Sequence, residues 1–261
     1  MEGLRILVQL VVSLAFLAFN FVVLFFILGQ NQKAGQERGA ETAPEDLVEG
    51  TDELNPADIL EWEFEYARTT ASESMEQRHT MVNFYLLAAG VVISGVVALL
   101  SSEVRLPFFV GTVLLWLLCC IGWIYFLSII RLRQAWHDSA RTMNEIKYFY
   151  IRYAKGFAPE ALEAAFRWKK ATLPAADKPW SVFYYSAMLI ALLDSVAYVA
   201  GGALLGLKAP PYFFVPSLVL LGVFGLALFC FHVWLYHAFL KPRPSNAAQP
   251  ADPDRDKTED S

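Results

Sequence analysis

Apolar residues in this chain gather into five long runs almost free of charge: Ile6–Leu28, Val82–Leu100, Phe108–Ile130, Ser181–Leu207 and Phe213–Leu240. A helix rising about 1.5 Å per residue needs roughly 20 apolar residues to cross a hydrocarbon layer about 30 Å thick. Each run is long enough. Helices buried in water-soluble proteins rarely stay apolar on every face for such a length. The pattern predicts an all-α polytopic membrane protein with five transmembrane helices.

The polar stretches between the runs organise the rest. Residues 29–57 are rich in Gln, Gly, Glu, Ala and Pro and read as a flexible acidic linker. Asn55-Pro56 then opens a helix, since Asn caps well and Pro fits the first helical position. Ile59, Trp62, Tyr66 and Thr70 follow at three- and four-residue steps, and no Pro or Gly interrupts the path from Ala57 to Gly90. One helix is expected to begin in water and run straight into the second span. The third span continues likewise: Leu132, Ala135, Trp136, Ala140, Met143, Ile146, Phe149, Tyr150 and Tyr153 keep helical spacing until Gly156.

Ser101–Pro107 is a short turn, so both extensions leave the membrane on one side. Residues 58–155 are thus expected to form a cytoplasmic helix, a transmembrane hairpin and a second cytoplasmic helix. Trp62 and Tyr66 on one arm, with Trp136, Met143 and Phe149 on the other, are candidates to pack together or against another copy. Residues 156–180 hold a further short helix from Pro159, ended by Pro174 and Pro179. Lys208–Pro211 turns the last two spans into a second hairpin, and residues 241–261 read as a disordered tail. The first run, residues 1–28, lacks a small-x-small cleavage site and is too long for a signal-peptide core, so it reads as a retained anchor.

Composition changes this picture in two ways. The chain is 56% hydrophobic and 18% charged, below the quarter or so expected of a soluble domain. Its net charge of −5 is unevenly spread: acids crowd residues 37–76 and the tail, while residues 131–178 carry ten Lys and Arg. Basic flanks face the cytoplasm. The arms and tail are therefore placed inside a bacterial inner membrane and the N-terminus outside. No aromatic-interleaved basic groove accompanies the charge, so no nucleic acid partner is expected.

Asp194 is the one carboxylate inside a span, near the centre of the fourth. Such a group costs about 2.5–3.5 kcal/mol on insertion scales and usually faces a bundle interior or a wet cavity. It is a candidate ion path, or a buried polar contact to Ser195, Tyr198 or a hydroxyl on another span. His232 and His237 are five apart, which does not put two ligands on one helical face, and read as interfacial belt residues. Gln9, Asn20 and Asn83 are possible donors across helix contacts. Gly90, Ser94 and Ala98 form a small-residue ridge on the second span, and Gly202 with Gly206 ends the fourth, both favouring close helix packing. Cys119, Cys120 and Cys230 lie within spans and read as inert thiols, with no CxxC or zinc spacing.

No nucleophile elbow, Walker loop, dinucleotide fingerprint or HExxH is present, so neither an enzyme, a metal nor a cofactor is expected. Arg68-Thr69-Thr70, Arg78-His79, the Ser101–Pro107 turn, Arg131–Trp136 and Asn144–Lys147 give residues 61–153 a layout of polar helix, close span pair and polar helix. In this the stretch resembles the SLATT-type two-span effector modules of bacterial conflict systems. The resemblance implies a membrane pore. The expected partners are the lipid bilayer and either further copies of the chain or another membrane or cytoplasmic protein. An ion-coupled transporter or channel using Asp194 and a flux-free scaffold are the alternatives.

Overall fold

The computed structural model describes residues 56–101, 107–153, 173–207 and 211–241. They form four helices: α1 (Pro56–Leu100), α2 (Pro107–Tyr153), α3 (Val182–Gly206) and α4 (Pro211–Leu240). There is no strand among the described residues, and all four helices are long and apolar enough to cross a membrane. The first apolar run, the acidic linker up to residue 55, the short helix expected from Pro159 and the tail from residue 242 lie outside the described residues.

Local chemistry sets the helix starts. Three of the four open on proline, whose missing N–H has no partner to lose in a first turn. The fourth opens on Ser181, an extended N-cap whose hydroxyl accepts from the Tyr184 N–H at 3.1 Å. The chain reaches that cap through Trp180 at φ 67, a left-handed conformation uncommon for a side-chain-bearing residue. Pro216 sits within the early turns of α4.

At 45 and 47 residues, α1 and α2 are each about 70 Å long, twice a hydrocarbon layer. They pack as one antiparallel hairpin from the Ser101–Pro107 connection to the far arms, where the Lys147 ammonium lies 5.7 Å from the centre of the Phe64 ring. The seam on α1 is narrow. Ala67, Ala71, Ser74, Arg78, Tyr85, Ala89 and Val96 are buried at three- and four-residue steps, or multiples of them. Side chains at such steps share one helical face.

The helices lie in chain order: α1 packs on α2, α2 on α3, and α3 on α4. Half of the most apolar stretch of α2 is buried, against 17% for α1 and 22% for α4. The outer helices therefore turn most of their apolar surface outward, as a lipid-facing bundle does. Polar contacts stitch the layers at three levels. Thr112 donates to the Gly201 carbonyl at 2.9 Å near the connecting turns. Tyr85 reaches Asp194 midway. At the arm side, Arg133 donates to the carbonyls of Ala176 (3.0 Å) and Ala175 (3.3 Å), and Gln134 to that of Phe239 (3.1 Å).

Candidate functional site

Asp194 stands at the midpoint of α3, and its carboxyl group is fully buried. All four helices contribute to its surroundings. From α1, the Tyr85 hydroxyl donates to Oδ1 at 2.5 Å. From α2, Gly122 leaves the space that the carboxyl occupies, since a Cβ there would overlap it. From α4, His232 brings Nε2 to 3.7 Å from Oδ2, and it too is fully buried. Ser195 is not a partner: its hydroxyl returns to the Ala191 carbonyl of its own helix at 2.8 Å.

The histidine ring is held on three sides. Trp123 stacks on it at 4.1 Å between centroids, Phe126 meets it edge-on at 4.7 Å, and Nδ1 lies 2.8 Å from the Leu228 carbonyl. A carbonyl only accepts, so Nδ1 carries a proton and donates. In the neutral ring Nε2 then presents a lone pair toward Asp194 Oδ2, and neither atom has a hydrogen-bond partner. Two facing lone pairs repel, and one proton between them removes the repulsion, whichever of the two holds it. The 3.7 Å gap exceeds hydrogen-bond range. The node is therefore satisfied on Oδ1 and open on Oδ2. Its chemistry is proton holding and helix registration; no group of three or more His, Cys, Asp or Glu able to hold a metal occurs among the described residues.

No family model, curated protein or solved structure matches this chain.

The structure separates the other candidates. His232, read from sequence as a belt residue, is a core residue against Asp194; the five-residue spacing to His237 was irrelevant because its partner lies on α3. Gly202 and Gly206 are buried, and at Gly202 the Leu221 side chain of α4 occupies the space a Cβ would need. Gly90, Ser94 and Ala98 instead face outward on α1, with open space around Gly90. Among the described residues that ridge packs on no other helix. Asn83 is likewise exposed.

The arm residues also divide. Packing of one aromatic stripe on the other within the chain does not occur, because Ala67, Ala71 and Ser74 occupy the seam and bring the backbones close. Trp62 and Tyr66 are 64% and 68% exposed, and Phe149 is 46% exposed. Trp136 is half-buried beneath the Arg133 guanidinium at 4.7 Å. With Met143, Ala71 and Asn144 it lines a cavity of about 330 Å³ between the arms. The Asn144 Nδ2 is buried there without a hydrogen-bond partner.

Proposed function

We propose that this chain is a multi-pass protein of a bacterial inner membrane, without enzymatic activity, that self-associates through its cytoplasmic arms. One observation carries the reading. Ile59, Trp62 and Tyr66 share one face of α1 and are all exposed, although Trp62 lies 20 residues, about 30 Å, beyond the start of the apolar run at Val82. An aromatic stripe that far from lipid is left in water unless another protein surface covers it. Tyr148, Phe149 and Tyr150 at the end of α2 extend the exposed aromatic surface. Trp and Tyr are the residue types that dominate protein interfaces. The resemblance of residues 61–153 to SLATT-type modules favours a pore as the product of such assembly.

Light scattering of the purified full chain in detergent tests this. The wild type is expected to run as an oligomer and the Trp62→Ala/Tyr66→Ala variant as a monomer. A wild type that is monomeric across the accessible concentration range sinks the reading.

A second reading, ion-coupled transport through Asp194, is favoured by the open Oδ2 and Nε2 atoms that face each other midway along the bundle. Under that reading Asp194→Asn abolishes flux in proteoliposomes while oligomeric state is unchanged. Under the assembly reading the arm variants are the damaging ones.

A further inference from the structure

Two arginines are buried where the arms leave the apolar layer. Arg78 lies four residues before Val82, and Arg133 three after Ile130. They are 5% and 4% exposed. Both guanidinium groups approach the ring of Phe183, at 4.9 and 5.5 Å from its centre, so the two are at most about 10 Å apart. Neither has a carboxylate within ion-pair distance among the described residues. Asp177 acts on Arg133 only through space, and burial pulls both guanidinium groups below their ordinary range.

Their polar contacts differ. Arg133 uses Nε and Nη2 on the carbonyls of Ala176 and Ala175. Arg78 places Nη2 2.6 Å from His79 Nε2, which must accept because a guanidinium only donates. No guanidinium nitrogen of the pair is both fully buried and without a partner. The same level of the molecule carries Arg131, Lys178 and Lys241 at helix ends, all exposed. Positive charge is thus concentrated at this boundary.

We propose that Arg78 and Arg133 form a binding site for a phosphate group at the membrane boundary, of the kind carried by an acidic phospholipid. A phosphate offers several acceptor oxygens, enough to engage donors from two guanidinium forks at once. Basic pockets between transmembrane helices take anionic headgroups for this reason. The phosphate has two possible sources, a lipid headgroup or the free anion. The site does not depend on the self-association of the arms.

The test uses the full chain in nanodiscs of phosphatidylcholine with or without phosphatidylglycerol, and in lipid-free detergent with inorganic phosphate. Native mass spectrometry reads the lipid retained, and thermal unfolding reads the stabilisation. Wild type is expected to retain phosphatidylglycerol over phosphatidylcholine. Arg78→Gln, which can still donate to His79, weakens that retention about fivefold, the equivalent of about 1 kcal/mol. Arg78→Lys weakens it less, and Lys241→Gln leaves it unchanged.

Stabilisation by inorganic phosphate alone, lost in Arg78→Gln and with no further gain from phosphatidylglycerol, supports the same site with the free anion as its ligand. Equal retention of the two lipids together with no effect of phosphate overturns the proposal. So does a Lys241→Gln loss as large as that of Arg78→Gln, which reveals diffuse surface charge instead of a site. If Arg133→Gln fails to fold because the Ala175 and Ala176 carbonyls lose their donor, Arg78→Gln decides alone.

Discussion

Tyr85 and Asp194 are 109 residues apart in sequence and meet in a 2.5 Å hydrogen bond, the phenol of α1 donating to the carboxyl of α3. This bond spans helices that otherwise touch little, because α2 lies between them for most of their length. It passes where α2 has no side chain, at Gly122. The bond therefore fixes the axial position of α1 against α3 through a gap in the central helix. Removing a donor from a buried acceptor costs about 1–3 kcal/mol.

Tyr85→Phe is expected to lower stability by that amount, read by denaturant unfolding in detergent micelles. Asp194→Asn should behave differently. Its Oδ1 still accepts from Tyr85, and its amide N–H replaces the open Oδ2 with a donor aimed at the His232 Nε2 lone pair. The asparagine variant is expected to be at least as stable as wild type, and Asp194→Leu clearly less stable. An asparagine variant as unstable as the leucine one contradicts the single-proton description of the pair.

Gly122 and Gly90 make a matched comparison. Both are helical glycines in apolar surroundings, so alanine gains up to about 1 kcal/mol of backbone entropy and propensity at either. At Gly122 the added methyl overlaps the Asp194 carboxyl; at Gly90 it meets nothing. Gly122→Ala is expected to lose about 1–3 kcal/mol by overpacking and Gly90→Ala to be neutral or slightly stabilising. The Gly122→Ala loss should shrink in an Asp194→Ala background, which a double-mutant cycle measures directly.

The helices themselves were legible in sequence because apolar run length and Pro punctuation are local signals. Four of the five runs fall in the four described helices, and α1 begins on the proline that Asn55-Pro56 marks. Asp194 was legible as a buried polar group for an equally local reason, its isolation in an apolar span. Its partners were not. Nothing local distinguishes Tyr85 from ten other tyrosines, or marks Gly122 as the glycine on which the node depends. His232 was masked by its Trp and Tyr neighbours, which resemble an interfacial belt. The arms differ again: on α1 the seam is formed by Ala67, Ala71 and Ser74 and not by Trp62 or Tyr66, because close backbone approach needs small side chains, whereas Trp136 and Met143 of α2 do line the space between the arms.

Arg133 reads the linker ahead of α3 with two donors of one rigid fork, Nε to the Ala176 carbonyl and Nη2 to that of Ala175. A lysine ammonium is a single point of attachment and cannot reproduce the fork. Arg133→Lys is expected to free the linker locally, at about 1–2 kcal/mol, with the helices intact. Hydrogen exchange of the linker amides at residues 175–178 should accelerate severalfold relative to wild type, while exchange elsewhere is unchanged. Uniform acceleration at all sites indicates global destabilisation instead.

The arm seam offers a test in which neighbouring alanines respond oppositely. Ala67 is 3% exposed at the seam and does not line the arm cavity, so Ala67→Leu must separate the backbones and is expected to lose about 1–3 kcal/mol. Ala71, one turn on, opens onto the 330 Å³ cavity beside Met75, Trp136 and Met143. There the leucine has space and apolar neighbours, so Ala71→Leu is expected to be neutral or stabilising. Asn144→Leu completes the set, because it removes a buried amide nitrogen without a partner and adds apolar contact to the same cavity. A gain of about 1 kcal/mol follows from relieving that desolvated donor. Hydrogen exchange of the arm amides, slower in Ala71→Leu and Asn144→Leu and faster in Ala67→Leu, localises the effects. Equal destabilisation by both alanine variants means that the arms have no internal space to fill and that the seam is tight throughout.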